Sequence, residues 1–226
     1  VHETDYGYYY VGTRKAPEGG KFVRVYQYTM PCQQMRPNLT NTRSADGGRN
    51  EVARYDGHIW VPIDDEQTHV YNWMCGYTEN DRIDHEFGEQ LEKNYGRGVE
   101  DFIPGTFKLK ANPSNDYFID REEQKTKTFT GIKGVNTQDM ALQEGMGVMP
   151  GSIGAICDRT QEYLGSSDTA IIHMRKMMLA ATKLVEQGKS PKGVDPEDYR
   201  RARPFDGVVP DGATWEETFK DGMAAS

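Results

Sequence analysis

The stretch HIWVPIDDEQTHVYNWMC, residues 58–75, reads as a β-hairpin. His58–Ile63 and Thr68–Cys75 are rich in β-branched and aromatic residues, and Asp64-Asp65-Glu66-Gln67 supplies a polar connection. A four-residue turn there sets Ile63 opposite Thr68 and His58 opposite Trp73. Strand side chains alternate, so this register gives one face to Ile59, Val61, Ile63, Val70 and Met74. The other face takes His58, Trp60, His69, Tyr71 and Trp73. The aliphatic face calls for a core. The aromatic face suits a pocket wall or a subunit contact, although aromatic cross-strand pairs also stabilise sheets with no further role.

Upstream, Tyr6–Gly12 and Lys21–Met30 (KFVRVYQYTM) have the same strand character. The Pro and Gly residues of KAPEGG separate them, and Pro31 ends the second. Residues 32–52 show no periodicity and many turn formers, which predicts a long surface loop. Residues 79–130 are charged and broken by Gly and Pro, with one short helix at His85–Tyr95 and an irregular path beyond it. Thr137–Gly147 is predicted helical, with Asp139, Gln143 and Glu144 near one face. Ser167 or Asp168 caps the strongest helix, which runs to about Gln187 and stops at Gly188. Ile171, Met174, Met178, Ala181 and Val185 form its apolar stripe; Ile172, Leu179 and Leu184 widen it, predicting burial on a broad face. A short helix is predicted at Thr214–Lys220. An antiparallel sheet with one long C-terminal helix packed across it is an α+β pattern. The division expected is one domain over residues 1–190 and a tail over 191–226.

Bulk properties exclude several function classes. The 226 residues carry 36% hydrophobic and 11% aromatic side chains. That is enough for a core, while a mean hydropathy of −0.80 leaves much solvated surface. A net charge of −8 argues against nucleic acid and against anionic membrane surfaces as partners. No apolar run reaches spanning length and no signal-peptide core is present, so a cytoplasmic protein is expected. Cys32, Cys75 and Cys157 form no CxxC or Cys-x-His pair and read as three reduced thiols ahead of one disulfide with a spare. The chain opens at Val1 directly into the strand-like VHETDYGYYYVG, as expected of a fragment or processed chain that begins inside a domain.

No catalytic motif is complete. HExxH, a glycine-rich phosphate loop, a Gly-x-Ser-x-Gly elbow and zinc spacing are all lacking. His2, His58, His69, His85 and His173 form no i,i+4 pair. His173, beside Arg175 and Lys176, reads as a surface residue. His58 and His69 share a face in the predicted register but stand diagonally apart. Asp139, taken alone, is a helix-start or surface carboxylate.

The run Gly131–Lys176 changes the weight of Asp139. Gln138-Asp139, Gln143-Glu144, Met146-Gly147, Asp158-Arg159-Thr160, Glu162, Leu164-Gly165, Ser167-Asp168 and Met174-Arg175 recur there in one order. In this it resembles the phthalate dioxygenase-like branch of the Rieske non-haem iron aromatic ring-hydroxylating oxygenases. YGYYYVGTR, FVRVYQYTMP, DGHIWVPIDDEQTHVYNW and NDYFIDREEQKTKTFTGI extend the likeness over roughly residues 1–190. The resemblance implies the C-terminal part of the α-subunit catalytic domain, a helix-grip (START-like) fold incomplete at its N-terminus. It further implies a mononuclear Fe(II) held by two histidines and one carboxylate, with Asp139 as the carboxylate. Electrons would come from a Rieske [2Fe–2S] cluster, supplied by NAD(P)H through a reductase or ferredoxin. A homotrimer and an aromatic, carboxylated substrate are implied as well, with ring hydroxylation or O-demethylation as the reaction. Arg24 and Arg36 are candidates for the substrate carboxylate, although each also reads as a structural ion pair or exposed charge. His69, Tyr71 and Trp73 are further candidates for substrate binding.

Two family elements do not occur in this sequence: the Cys-x-His and Cys-x-x-His pair of the Rieske domain, and the Asp-x-x-His…His motif that supplies the iron histidines. The chain alone is therefore expected to be inactive. GVMPGSIGAIC, between Met146 and Asp158, is longer than the family pattern and implies a reshaped channel wall. The competing readings are a non-catalytic helix-on-sheet ligand-binding module and an interaction protein whose long loops form a subunit interface.

Overall fold

Strand-forming residues dominate the first 76 positions, and they assemble into one antiparallel sheet. The computed structural model describes residues 1–40, 52–144, 156 and 159–224. Two compact units divide the chain: Val1–Ile63 with Thr68–Arg82 and Tyr163–Ser226, and Asp64–Gln67 with Ile83–Glu162.

The first unit holds β1 (His2–Glu3), β2 (Gly7–Lys15), β3 (Lys21–Thr29), β4 (Gln33–Asn38), β5 (Arg54–Pro62), β6 (Thr68–Gly76) and β7 (Phe205–Val209). Their order is β1-β2-β3-β4-β5-β6, with β7 paired to β3. Gly20, at φ +75°, turns the chain between β2 and β3; a Cβ there would stand 2.5 Å from the Val209 carbonyl oxygen. β4 and β7 divide the same edge of β3: β4 pairs over Gln33–Met35, and β7 pairs with Lys21–Val25.

Two predictions are corrected here. The expected loop over 32–52 contains β4, whose sequence QQMRPN lacks β-branched residues and includes Pro37. Its place between β3 and β5 makes it a strand; Pro37 lies beyond the part bonded to β3, where its missing N–H costs that ladder nothing. The hairpin register also differs by one residue, pairing Pro62 with Thr68 and His58 with Asn72. The Asp64 carboxylate accepts the Glu66 and Gln67 amides at 2.9 and 2.7 Å, and the connection takes in Ile63 as a fifth residue.

One helix, α4 (Thr169–Glu186), covers part of the sheet. Ala170, Met174, Met177, Met178 and Ala181 pack against Tyr8, Tyr28 and Met30, and the Tyr8 hydroxyl donates to the Ala170 carbonyl at 3.0 Å. The helix begins after Asp168 and ends at Gln187, followed by Gly188 at φ +69°. Its buried stripe is narrower than predicted: Ile171, Leu179 and Val185 are exposed. His173 is not a free surface residue. It lies edge-on to Tyr8 at 5.0 Å, with Nε2 3.4 Å from Glu3 Oε1.

The opposite sheet face packs Val23, Val25, Val209 and Phe219, flanked by Tyr9, Val11, Phe205, Trp215 and Met223. Much of this core comes from beyond Ser190. That segment, expected as a tail, returns to the sheet as β7 after the short α5 (Pro196–Tyr199) and closes with α6 (Trp215–Thr218).

The second unit is helical. Among the described residues its α-helices are α1 (His85–Asn94), α2 (Arg121–Thr126) and α3 (Val135–Glu144), with a 3₁₀ turn at Val99–Asp101 and a kinked turn at Pro113–Phe118 between them. Asp84 and Asp120 cap α1 and α2 through their side chains. Tyr117, Ile132 and Ala141 form its core. Among the described residues no helix is long and apolar enough to cross a membrane.

Candidate functional site

Directly opposed residues of an antiparallel ladder share a face. The α4 side of the sheet therefore carries Tyr8, Tyr28, Gln34, His58 and Asn72 in one row, and Arg36, Asp56 and Met74 in the next. Arg24 and Asp206 are opposed on the same face.

These residues form a connected polar network. Asp206, fully buried, accepts Arg24 Nε at 3.2 Å and Nη2 at 3.1 Å, the Leu39 and Thr40 amides at 3.0 and 3.1 Å, and the Thr40 hydroxyl at 3.2 Å. Arg24 Nη2 also reaches Asn38 Oδ1 at 3.4 Å, and Asn38 donates in turn to Asp56. The Asp56 carboxylate then receives Arg54 Nε at 2.8 Å and Arg36 Nη2 at 2.8 Å. Among the described residues, three guanidinium groups thus gather on these two carboxylates. Arg54 is completely buried, whereas the Arg36 side chain is 31% exposed, so Arg36 is the accessible end of the network.

An aromatic wall stands near that end. Tyr10 stacks on Tyr26 at 4.7 Å and accepts Gln34 Nε2 at 2.8 Å. Burial pushes the Tyr10 phenol up to about 12, against smaller lowering by the Gln34 bond and the Arg36 charge. His58 Nδ1 lies 2.6 Å from Asn72 Oδ1, and its ring tilts against Trp60 at 5.6 Å. A partly exposed guanidinium beside stacked phenol rings has the chemistry to bind a planar anion.

The structure separates the residues nominated from sequence. Arg24 is tied to Asp206, and Arg36 remains near the surface. The one-residue difference in register places His69, Tyr71 and Trp73 opposite Val61, Ile59 and Gly57, on the face away from Arg36 and His58. The predicted clean division into an aliphatic and an aromatic face therefore does not occur, and His58 and His69 point to opposite sides. Sequence reading missed Tyr10, Gln34, Arg54, Asp56 and Asp206. The period-two run Arg54-x-Asp56-x-His58 was the available signal for the middle of this face.

Asp139 belongs to the other unit, on α3. Gly134 (φ +78°) packs against Gly96 before the helix, leaving no room for a side chain. The Asn136 amide donates to the Tyr95 carbonyl at 3.1 Å, and Gln138 Nε2 folds back onto the Ile132 carbonyl at 2.9 Å. Thr137 and Ala141 are buried, so Asp139, two residues from each, falls on the exposed side. Glu144, expected near its face, lies two turns after Thr137 and, though exposed, accepts the Tyr117 hydroxyl at 2.5 Å. As a hard anionic oxygen donor on a fixed helix, Asp139 fits the carboxylate position of a mononuclear Fe(II) site. Among the described residues no group of three His, Cys, Asp or Glu gathers that could hold a metal ion. The GVMPGSIGAIC segment lies outside the described residues except for Ile156.

Comparison with known proteins gives this geometry its context. Residues 1–223 match the family described as "LigXa C-terminal domain like". The chain is 29% identical over 223 residues to the phthalate 4,5-dioxygenase oxygenase subunit of Pseudomonas putida, covering 96% of this chain and 45% of that protein. It is 29% identical over 231 residues to the 3-chlorobenzoate-3,4-dioxygenase oxygenase subunit of Comamonas testosteroni, covering 97% and 49%. The chain thus spans about half the length of the curated relatives it matches. It belongs to the LigXa C-terminal domain-like family, and both of these relatives are named as dioxygenase oxygenase subunits.

Proposed function

We propose that this chain is the C-terminal part of the catalytic domain of an oxygenase subunit that hydroxylates or O-demethylates an aromatic carboxylate. The observation that carries the reading is the family match over residues 1–223, with the Gln138-Asp139 pair set on α3 and Asp139 turned outward. In the subunit that carries this chain, Asp139 is one ligand of a mononuclear Fe(II). That iron supplies dioxygen activation when bound, with electrons from a Rieske [2Fe–2S] cluster fed by NAD(P)H through a reductase or ferredoxin. The subunit works in the cytoplasm as a homotrimer.

The role of this chain's own residues follows from their chemistry. Arg36, paired to Asp56 and 31% exposed, offers guanidinium chemistry suited to a substrate carboxylate. Tyr10 and Tyr26 offer neutral aromatic surface to its ring, and Arg24, Arg54, Asn38 and the two aspartates hold the face rigid. The names of the relatives make phthalate and 3-chlorobenzoate the first compounds to try. The test is oxygen uptake by the purified subunit with its iron and an electron donor, across a panel of aromatic acids. Substrate-dependent uptake with formation of a hydroxylated or demethylated product supports the reading. Tight binding of the acids with no oxygen uptake identifies a ligand-binding module instead.

A further inference from the structure

Three consecutive non-glycine residues, Asp116, Tyr117 and Phe118, have φ values of +51°, +52° and +54°. L-residues enter this left-handed region singly and at a cost, so a run of three persists only where the surroundings hold it. Here they do. Asn112 and Asn115 bind each other's backbone reciprocally, both reach the Lys110 carbonyl at 2.8 Å, and the Tyr117 amide returns to the Asn112 carbonyl at 3.1 Å. The strained turn buries one side chain. Tyr117 is 1% exposed and packs with Ile132 and Ala141, while Phe118 beside it is left in solvent.

The phenol reaches the last residue of α3. Its hydroxyl donates to Glu144 Oε2 at 2.5 Å, and burial, followed by the Glu144 bond and charge, pushes its pKa well up, so it stays a donor across the physiological range. A donor to a carboxylate makes a stronger bond than one between neutral partners. Thr137 and Ala141 fix the inner side of the helix by packing, and the Tyr117–Glu144 bond fixes its final turn. Together they set the rotation of α3 and with it the direction in which Asp139 points.

We propose that Tyr117 is a positioning residue: the left-handed turn drives its hydroxyl onto Glu144 to orient α3, so that Asp139 is presented as a metal ligand. This rests on the reading of Asp139 given above. The test uses the iron-loaded subunit that carries this chain, in its wild-type form and as Tyr117→Phe, Glu144→Gln and Asp139→Ala. Two readouts are taken: amide hydrogen exchange over residues 140–144, and Fe(II) release to a chelator. Tyr117→Phe keeps the ring and removes only the hydroxyl. It should speed exchange in the last turn of α3 about tenfold and Fe(II) release about three- to tenfold, the order expected from losing one bond to a charged partner. Glu144→Gln keeps an acceptor and should stay within about threefold on both. Unchanged exchange in Tyr117→Phe overturns the proposal. So does faster exchange with iron held as tightly as in the wild type while Asp139→Ala loses it; in that case the Asp139 reading stands. Retention of iron by Asp139→Ala overturns both, and that arm alone identifies the failure as lying in the ligand assignment.

Discussion

Arg24 and Asp206 lie 182 residues apart in sequence and face each other across β3 and β7, joined by two hydrogen bonds at 3.1 and 3.2 Å. Asp206 is fully buried, and its remaining oxygen takes the Leu39 and Thr40 amides. The pair therefore ties the end of the chain to the middle of the sheet. Asp206→Ala should cost about 3–5 kcal/mol in denaturant unfolding, because it leaves a guanidinium and two amides without their acceptor. Arg24→Met should also lower stability. A substrate-contacting Arg24 would give the other pattern, a raised KM on an unchanged midpoint.

The hairpin register can be tested at Gly57. A Cβ there would come within 2.1 Å of Trp73 Cε2, so the indole lies directly over the glycine opposite it. Gly57→Ala should cost about 1–3 kcal/mol and shift the tryptophan emission as the ring is displaced. Adding Trp73→Ala should recover part of that loss in a double-mutant cycle. Additive costs would mean the two residues do not meet.

Elements whose signal is local were legible in the sequence. The strand at Lys21–Thr29, the existence of the hairpin, α1, and both ends of α4 follow from period, caps and glycine stops. Features that depend on distant partners were not. β4 has poor strand composition and exists because β3 and β5 flank it. β7 sits in PFDGVVP, a stretch that reads as a loop until its pairing with Lys21–Val25 is known. The register differed because the Asp64 side chain organises the turn and draws Ile63 out of the ladder. That single residue decides which aromatic side chains join Arg36. Asp139 was legible only through family resemblance, since the residues around it specify no more than a helix.

Arg36 and Arg54 share Asp56 and should respond differently. Arg36→Met removes the exposed partner and leaves Asp56 bound by Arg54 and Asn38, so stability should fall by about 1 kcal/mol. KM for aromatic acids should rise about tenfold or more, with Arg36→Lys rescuing only in part. Arg54→Met, at a fully buried position, should instead cost about 3 kcal/mol or more. Steady-state kinetics with parallel unfolding curves separate the two.

Alkaline titration tests the burial of the tyrosines. Burial is the leading cause that pushes Tyr6, Tyr10, Tyr28 and Tyr55 up to about 12, whereas an unfolded chain ionises its phenols near about 10. As pH rises the unfolded state loses these protons first. The stability they contribute is fully present below about pH 10 and is lost between about 10 and 12. Phenolate absorbance should show a late-titrating class, and the denaturation midpoint should fall over that window. A single phase near 10 with a flat midpoint would contradict the packing described for both sheet faces.

The central claim, that Asp139 is an iron ligand in an oxygenase subunit, is tested most directly by counting iron. In the subunit that carries this chain, Asp139→Ala should lower the metal content from about three iron atoms to about two, removing the mononuclear iron and sparing the [2Fe–2S] pair. The cluster's visible absorption should remain, which excludes general unfolding. A variant that keeps about three iron atoms with wild-type chelator resistance would remove Asp139 from the ligand set.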